Sequence, residues 1–201
     1  MQPDDEKLMQ KVKNGDMRAF DVLVRRWEDR LFNLIYKITG DFEVAKDIRQ
    51  EVFLRVYQSA RRYRPRSQFK AWLYRIAVNC SINELRKRER HSVLSFDASY
   101  QHNDGQEKPF EDFLADSNPK PDEMVQQGEV TEQIQNALRR LSDEQRIVIV
   151  LRHYEELKFH QIASVLDCPV GTVKSRMHHG LERLRMMLRD YCREGEIKHG
   201  L

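Results

Sequence analysis

SQFKAWLYRIAVNCSINELRKRER, Ser67 to Arg90, carries two stripes of different chemistry at helical spacing. Phe69, Trp72, Leu73, Ile76, Ala77 and Cys80 recur every three or four residues, which predicts one helix with a buried face. Arg75, Asn79, Asn83, Arg86 and Arg90 recur at the same intervals on another face. Guanidinium and carboxamide groups in a row suit phosphate oxygens and base edges. A solvated amphipathic helix would show the same two stripes, so the rest of the chain has to decide between these readings.

Upstream, the basic loop Arg61-Arg62-Tyr63-Arg64-Pro65-Arg66 leads into this helix, with Ser67 as its expected cap. Arginines with a tyrosine fit a single strand, charge for phosphate and a ring for stacking. Before the loop, the pattern predicts three helices. Residues 4–13 bury Leu8, Met9 and Val12. Met17 to Thr39 buries Phe20, Leu23, Trp27, Leu31, Leu34, Ile35 and Ile38, between the cap Asp16 and the stop Gly40. Phe42 to Ser59 buries Val44, Ala45, Ile48, Val52 and Val56. Its Asp47, Gln50, Glu51 and Leu54 form a separate ridge at i, i+3, i+4 and i+7. A mixed acidic, amide and aliphatic ridge can dock on basic helices of another protein.

Downstream, residues 91–122 lose all period and hold Pro, Gly and many acids, as a linker does. Phe110, Phe113 and Leu114 form the one apolar turn within it. Helical spacing returns from Met124 to Leu141. Ser142 with Gln145 reads as a capping box for a helix from Asp143 to Tyr154. Two short helices follow around the turn Asp167-Cys168, with Pro169 at the first helical position of the second. This is a helix-turn-helix whose later helix is the reader. Gly171 and Thr172 leave backbone N–H groups of its first turn open to a phosphate, and Lys174, Ser175, Arg176, His178 and His179 face outward or flank. Residues 191–201 read as a frayed tail.

The fold class is therefore all-α. Two small helical domains, a bundle over 1–90 and a helix-turn-helix domain over 123–201, are joined by an irregular acidic linker over 91–122. The formal net charge of the 201 residues is only +3, but residues 1–90 carry +8, residues 91–125 carry −6 and residues 126–201 carry +1. A basic first half under a nearly neutral mean is the electrostatic footprint of a nucleic-acid binder. No stretch is long and apolar enough to span a bilayer, and MQPDDEKL is no secretion signal, so a cytoplasmic protein is expected. Cys80, Cys168 and Cys192 stand far apart, which argues against a disulfide framework or a zinc site. No phosphate-binding GxxxxGK[ST] loop and no pair of metal-binding carboxylates is present. A metal enzyme built on His153, His160 and Cys168 would lack an acid partner. No cofactor and no catalysis are expected.

Four segments carry a resemblance. GDMRAFDVLVRRW (15–27), DFEVAKDIRQEVFLRVYQ (41–58), FKAWLYRIAVN (69–79) and LKFHQIASVLDCPVGTVKSRMHHGLERLR (157–185) stand in one order at one spacing. The chain resembles the extracytoplasmic-function (ECF) sigma factors, the compact members of the sigma-70 family of bacterial transcription initiation subunits. The likeness covers residues 8 to about 189. It implies that Asp47, Gln50, Glu51 and Leu54 grip the clamp helices of the largest subunit of core RNA polymerase. It implies that Arg64, Arg66, Phe69, Lys70, Trp72, Arg75, Asn79, Asn83 and Arg86 capture promoter DNA as a single strand near the start site. Gly171, Thr172, Lys174, Ser175, Arg176, His178 and His179 would then contact the more distant promoter element as duplex. An anti-sigma factor that packs on both domains is the expected inhibitor. The competing reading is a stand-alone helix-turn-helix regulator that never meets polymerase.

Overall fold

The computed structural model describes residues 4–64, 69–95 and 133–198, without the side chains of 91–95 and 190–198. Every regular element among them is helical.

Helix α1 (Asp5–Lys13) buries Leu8, Met9 and Val12. The Asp5 carboxylate fastens it to the second helix, accepting from Arg26 Nη1 at 2.5 Å and from Trp27 Nε1 at 3.1 Å. Helix α2 (Met17–Thr39) begins at Asp16, whose side chain accepts from the Ala19 amide at 3.1 Å. It ends at Gly40, where a φ of 71° lets the chain turn out of the helix. Helix α3 (Phe42–Ser59) starts on the Asp41 side chain, which takes the Val44 amide at 3.0 Å, and a 3-10 turn (Ala60–Arg62) closes it. Helix α4 (Phe69–Ser95) is the quoted stretch. Trp27, Tyr63, Phe69, Trp72 and Tyr74 meet edge-on or tilted at its N-terminal end, with centroids 4.8–6.2 Å apart.

The second half holds residues 133–139 (α5), α6 (Asp143–Ile149) with a π-helical turn over Val150–Tyr154, α7 (Phe159–Leu166) and α8 (Val170–Lys198). Asp167, at φ 51°, makes the tight turn between α7 and α8. Helices α6 and α8 cross where Gly180 lets them approach closely. The two halves pack on each other. Helix α2 packs on α6 and on the π turn, α4 packs on α7, and one hydrophobic core runs through both.

Several expectations are corrected. The buried surface of α4 is wider than one stripe: Tyr74, Val78 and Ser81 are buried too, while Trp72 and Ile76 are only half-buried. The cause is that α4 is sandwiched between the bundle and α7, so it has two inner faces. Helix α4 runs on to Ser95, into the stretch expected as linker, and α8 runs to Lys198, through most of the expected tail. The helix from Asp143 changes to π geometry at Val150. The capping box is half-made: Ser142 Oγ accepts from the Gln145 amide at 3.4 Å, but Gln145 Oε1 is buried without a partner among the described residues. Pro169 stands just before the first residue of α8, not in it. Ser67, Arg66, the turn around Phe110 and the rest of the linker beyond Ser95 lie outside the described residues. At the start of α4, Glu6 Oε1 takes the Phe69 amide at 3.0 Å. A carboxylate at that end also suits the helix dipole.

Candidate nucleic-acid interface

On α4, Asn79, Asn83 and Arg86 are exposed and follow one another up one face, as spacings of four and three require. At the N-terminal end of that face lies a cleft of about 290 Å³ lined by Ser59, Arg62, Tyr63, Arg64 and Trp72. The Tyr63 and Trp72 rings lie 4.8 Å apart in its wall. Tyr63 Oη is buried and has no partner among the described residues. Burial, and then the charges of Glu6, Asp4 and Asp5, push its phenol above the ordinary tyrosine range, so it stays a neutral hydroxyl. The cleft thus offers ring faces, guanidinium groups and one spare hydroxyl, a set that fits a nucleobase with its phosphate.

Phe69 does not belong to this surface. Only 2% exposed, it packs among Trp27, Tyr63 and Trp72 and is a core residue. Its place on the apolar stripe already pointed inward. Arg64 is exposed, and Arg66 lies outside the described residues. Lys70 and Arg75 point to the second half. Lys70 Nζ donates to the Glu155 carbonyl at 2.7 Å, and Arg75 Nη2 donates to the carbonyl of Ser164 and, at 3.1 Å, to its Oγ.

That second contact zone contains groups that the spacing did not single out. Glu155, 5% exposed, accepts on Oε2 from Arg30 Nε at 2.8 Å and from the Tyr74 hydroxyl. Burial first, then the bond to Glu155, raises the Tyr74 pKa. For Arg30, burial acts against the charged form, and the bond to Glu155, the Glu155 charge and Tyr74 together outweigh it. Burial also lowers the Lys70 ammonium, with Arg30 adding to the effect. One signal was available: Tyr74 lies one turn from Lys70 on the same face. Nothing local marks Arg30 or Glu155, because their pairing spans 125 residues of sequence.

On α3, Asp47, Gln50, Glu51 and Leu54 are all exposed along one face, and Leu54 is 55% exposed. Glu51 Oε1 also pairs with Arg55 Nη2 at 2.5 Å. On α8, Val173 and Met177 turn inward, while Gly171, Lys174, Ser175, His178 and His179 are exposed and Thr172 and Arg176 half-buried. Both imidazoles lie near Glu182, at 3.5 and 3.6 Å.

Two family models match the chain, Sigma-70 region 2 over residues 23–91 and Sigma-70, region 4 over residues 131–184. Over 185 residues it is 37% identical to the ECF RNA polymerase sigma factor SigW of Bacillus subtilis, covering 92% of this chain and 97% of that one. The chain belongs to the ECF sigma factors of the sigma-70 family. To the RNA polymerase sigma-H factor of Pseudomonas aeruginosa this ECF sigma factor is 32% identical, over 96% of its own length and 98% of the relative's. Its fold is shared with the sigma factor RpoE of Bartonella quintana, solved in complex with the anti-sigma factor NepR, at a TM-score of 0.64 and 20% identity over 86% and 98% of the two chains. The α4 face lies in the matched region 2, and the helix-turn-helix lies in region 4. Among the described residues of this ECF sigma factor, no three His, Cys, Asp or Glu side chains are grouped to hold a metal ion. No described helix is long and apolar enough to cross a membrane.

Proposed function

We propose that this sigma factor binds core polymerase through the α3 ridge, reads duplex DNA with the start of α8, and captures the opened strand on α4. The observation that carries this is the exposed row Asn79, Asn83 and Arg86 running from the Tyr63–Trp72 cleft. Parting a duplex costs about 1–2 kcal/mol per stacked step. Trapping an unpaired base on aromatic rings and in a cleft offsets that cost, at about 1–3 kcal/mol per stacked base. The energy comes from binding, so the chain itself catalyses no reaction and works in the cytoplasm, where polymerase and DNA are. An anti-sigma factor, as seen on the Bartonella relative, is its proposed inhibitor.

The test is transcription in vitro with core polymerase and a library of promoter fragments. Defined start sites that depend on the chain are expected. Asn79→Ala should impair strand opening while leaving duplex binding intact. Arg176→Ala should weaken duplex binding by about 1–3 kcal/mol, the worth of a bidentate base contact. Fragments bound in the absence of polymerase, with no start sites in its presence, would replace this reading by that of a stand-alone regulator.

A further inference from the structure

The donors that hold Glu155 form a seat whose walls belong to one half of the molecule and whose occupant belongs to the other. Arg30 comes from α2, and Lys70 and Tyr74 come from α4 one turn apart. Arg30 Nε and the Tyr74 hydroxyl meet on Glu155 Oε2, and Lys70 Nζ meets the carbonyl of the same residue at 2.7 Å. Arg30 is steadied over the Trp27 ring at 5.7 Å, and Lys70 over the Tyr74 ring at 5.5 Å. The negative charges that act on Lys70 are Glu155 and Glu156, and the carboxylate that acts on Arg30 is Glu155. All of them sit on the second half. The first half therefore supplies two cations and a hydroxyl that converge on one anion, and among the described residues no carboxylate of its own acts on them.

We infer that Arg30, Lys70 and Tyr74 form a binding subsite for a backbone phosphate of the promoter strand, and that Glu155 fills it as an internal anion while the two halves are closed. A phosphodiester presents one negative charge on two free oxygens, and a guanidinium, an ammonium and a phenol hydroxyl are suited to both. The seat adjoins Arg75, which the closed form likewise occupies with Ser164. Asn79 lies one turn beyond Arg75, so Arg75 stands between the seat on one side of α4 and the exposed row on the other. Tyr74 is fully buried in the closed form, so DNA reaches the seat only after α7 and the π turn have moved off α4. Apparent affinity for a single strand is then reduced by the fraction of molecules that are open.

This inference rests on the single-strand reading of α4. It is tested with the full chain and a short fluorescein-labelled single-stranded oligodeoxynucleotide, by anisotropy across a salt series. Glu155→Ala should raise affinity by roughly 10-fold, the factor that a ten-to-one closed bias imposes. Adding Arg30→Ala should return affinity towards the starting value. It should also flatten the slope of log affinity against log salt by about 0.7, one phosphate contact on a single strand. Tyr74→Phe in the Glu155→Ala background should weaken binding without changing the slope, because the hydroxyl carries no charge. If Glu155→Ala is poorly folded by circular dichroism, Glu155→Gln keeps the shape and removes the charge, with the same expectations. No gain from either variant, or an unchanged slope when Arg30 is removed, overturns the inference. Start-site selection with core polymerase, run in parallel, separates the two readings. Selection that persists while the seat variants change nothing removes the subsite alone. Loss of selection together with loss of oligonucleotide binding removes the reading beneath it.

Discussion

Gly180 is where two opposing effects can be weighed at a single residue. A Cβ there would lie 2.7 Å from Ile149 Cδ1 and 3.3 Å from Gln145 Cβ. Alanine in place of glycine within a helix gains about 1 kcal/mol of propensity. Overpacking at a tight crossing costs about 1–3 kcal/mol. The crossing should win, and Gly180→Ala should lower stability by about 1 kcal/mol in urea unfolding. Ile149→Val removes the Cδ1 atom, so Gly180→Ala in that background should be neutral or stabilising. Asp41 offers a second test. Burial pushes its carboxyl up, but the Val44 amide and the Arg88 guanidinium, 2.9 Å away, outweigh this and hold it below the ordinary range. A carboxyl depressed in the folded state adds stability above its unfolded value, near 4, and loses it as pH falls through the folded value. Asp41→Asn keeps an acceptor for Val44 and loses the pairing with Arg88. Its melting temperature should lie below that of the parent at pH 7, and the gap should close below about pH 4.

At the scale of elements, α4 depends on α1 for its beginning. The Glu6 carboxylate takes the Phe69 amide, the first of α4. Glu6→Ala should cost about 1 kcal/mol, as loss of a helix cap does, and should speed hydrogen exchange at Phe69 and Lys70. Spacing alone made the helices readable, and it fixed which faces of α2 and α3 are buried. The cap Asp16, one residue outside its helix, was equally plain. The Glu6 cap was hidden, since 63 residues separate donor and acceptor. The inward turn of Tyr74 and Val78 was hidden for a related reason. A stripe at helical spacing reports one buried face, and a helix held between two layers has two. The exposed row from Asn79 to Arg86 was legible because polar side chains at intervals of three and four need only solvent on one side.

At the scale of the molecule, five polar contacts among the described residues span the two halves: Arg30 and Tyr74 to the Glu155 carboxylate, Lys70 to the Glu155 carbonyl, Arg75 to Ser164, and Arg139 Nη2 to the Gly40 carbonyl at 2.8 Å. Two charged partners in a mostly desolvated place are costly to break singly, because the survivor is left buried and unpaired. Arg30 is about half exposed, which moderates that cost. Arg30→Ala, which leaves the buried Glu155 carboxylate without its cation and with only the Tyr74 hydroxyl, should therefore loosen the closed arrangement. Small-angle scattering of the free chain should show a radius of gyration larger by roughly 2 Å or more, against about 17 Å for a compact chain of this length. None of these contacts could be read from local pattern, since each joins residues 81 or more positions apart.

The bond between Glu6 and Phe69 also has a bearing at the bench. An affinity handle or fluorescent fusion placed ahead of Asp5 would hang directly beside the carboxylate that seats the first turn of the strand-capturing rod. Bulk or positive charge there would compete for Glu6 and blur measurements of single-strand capture, so labels belong on the far end of α8.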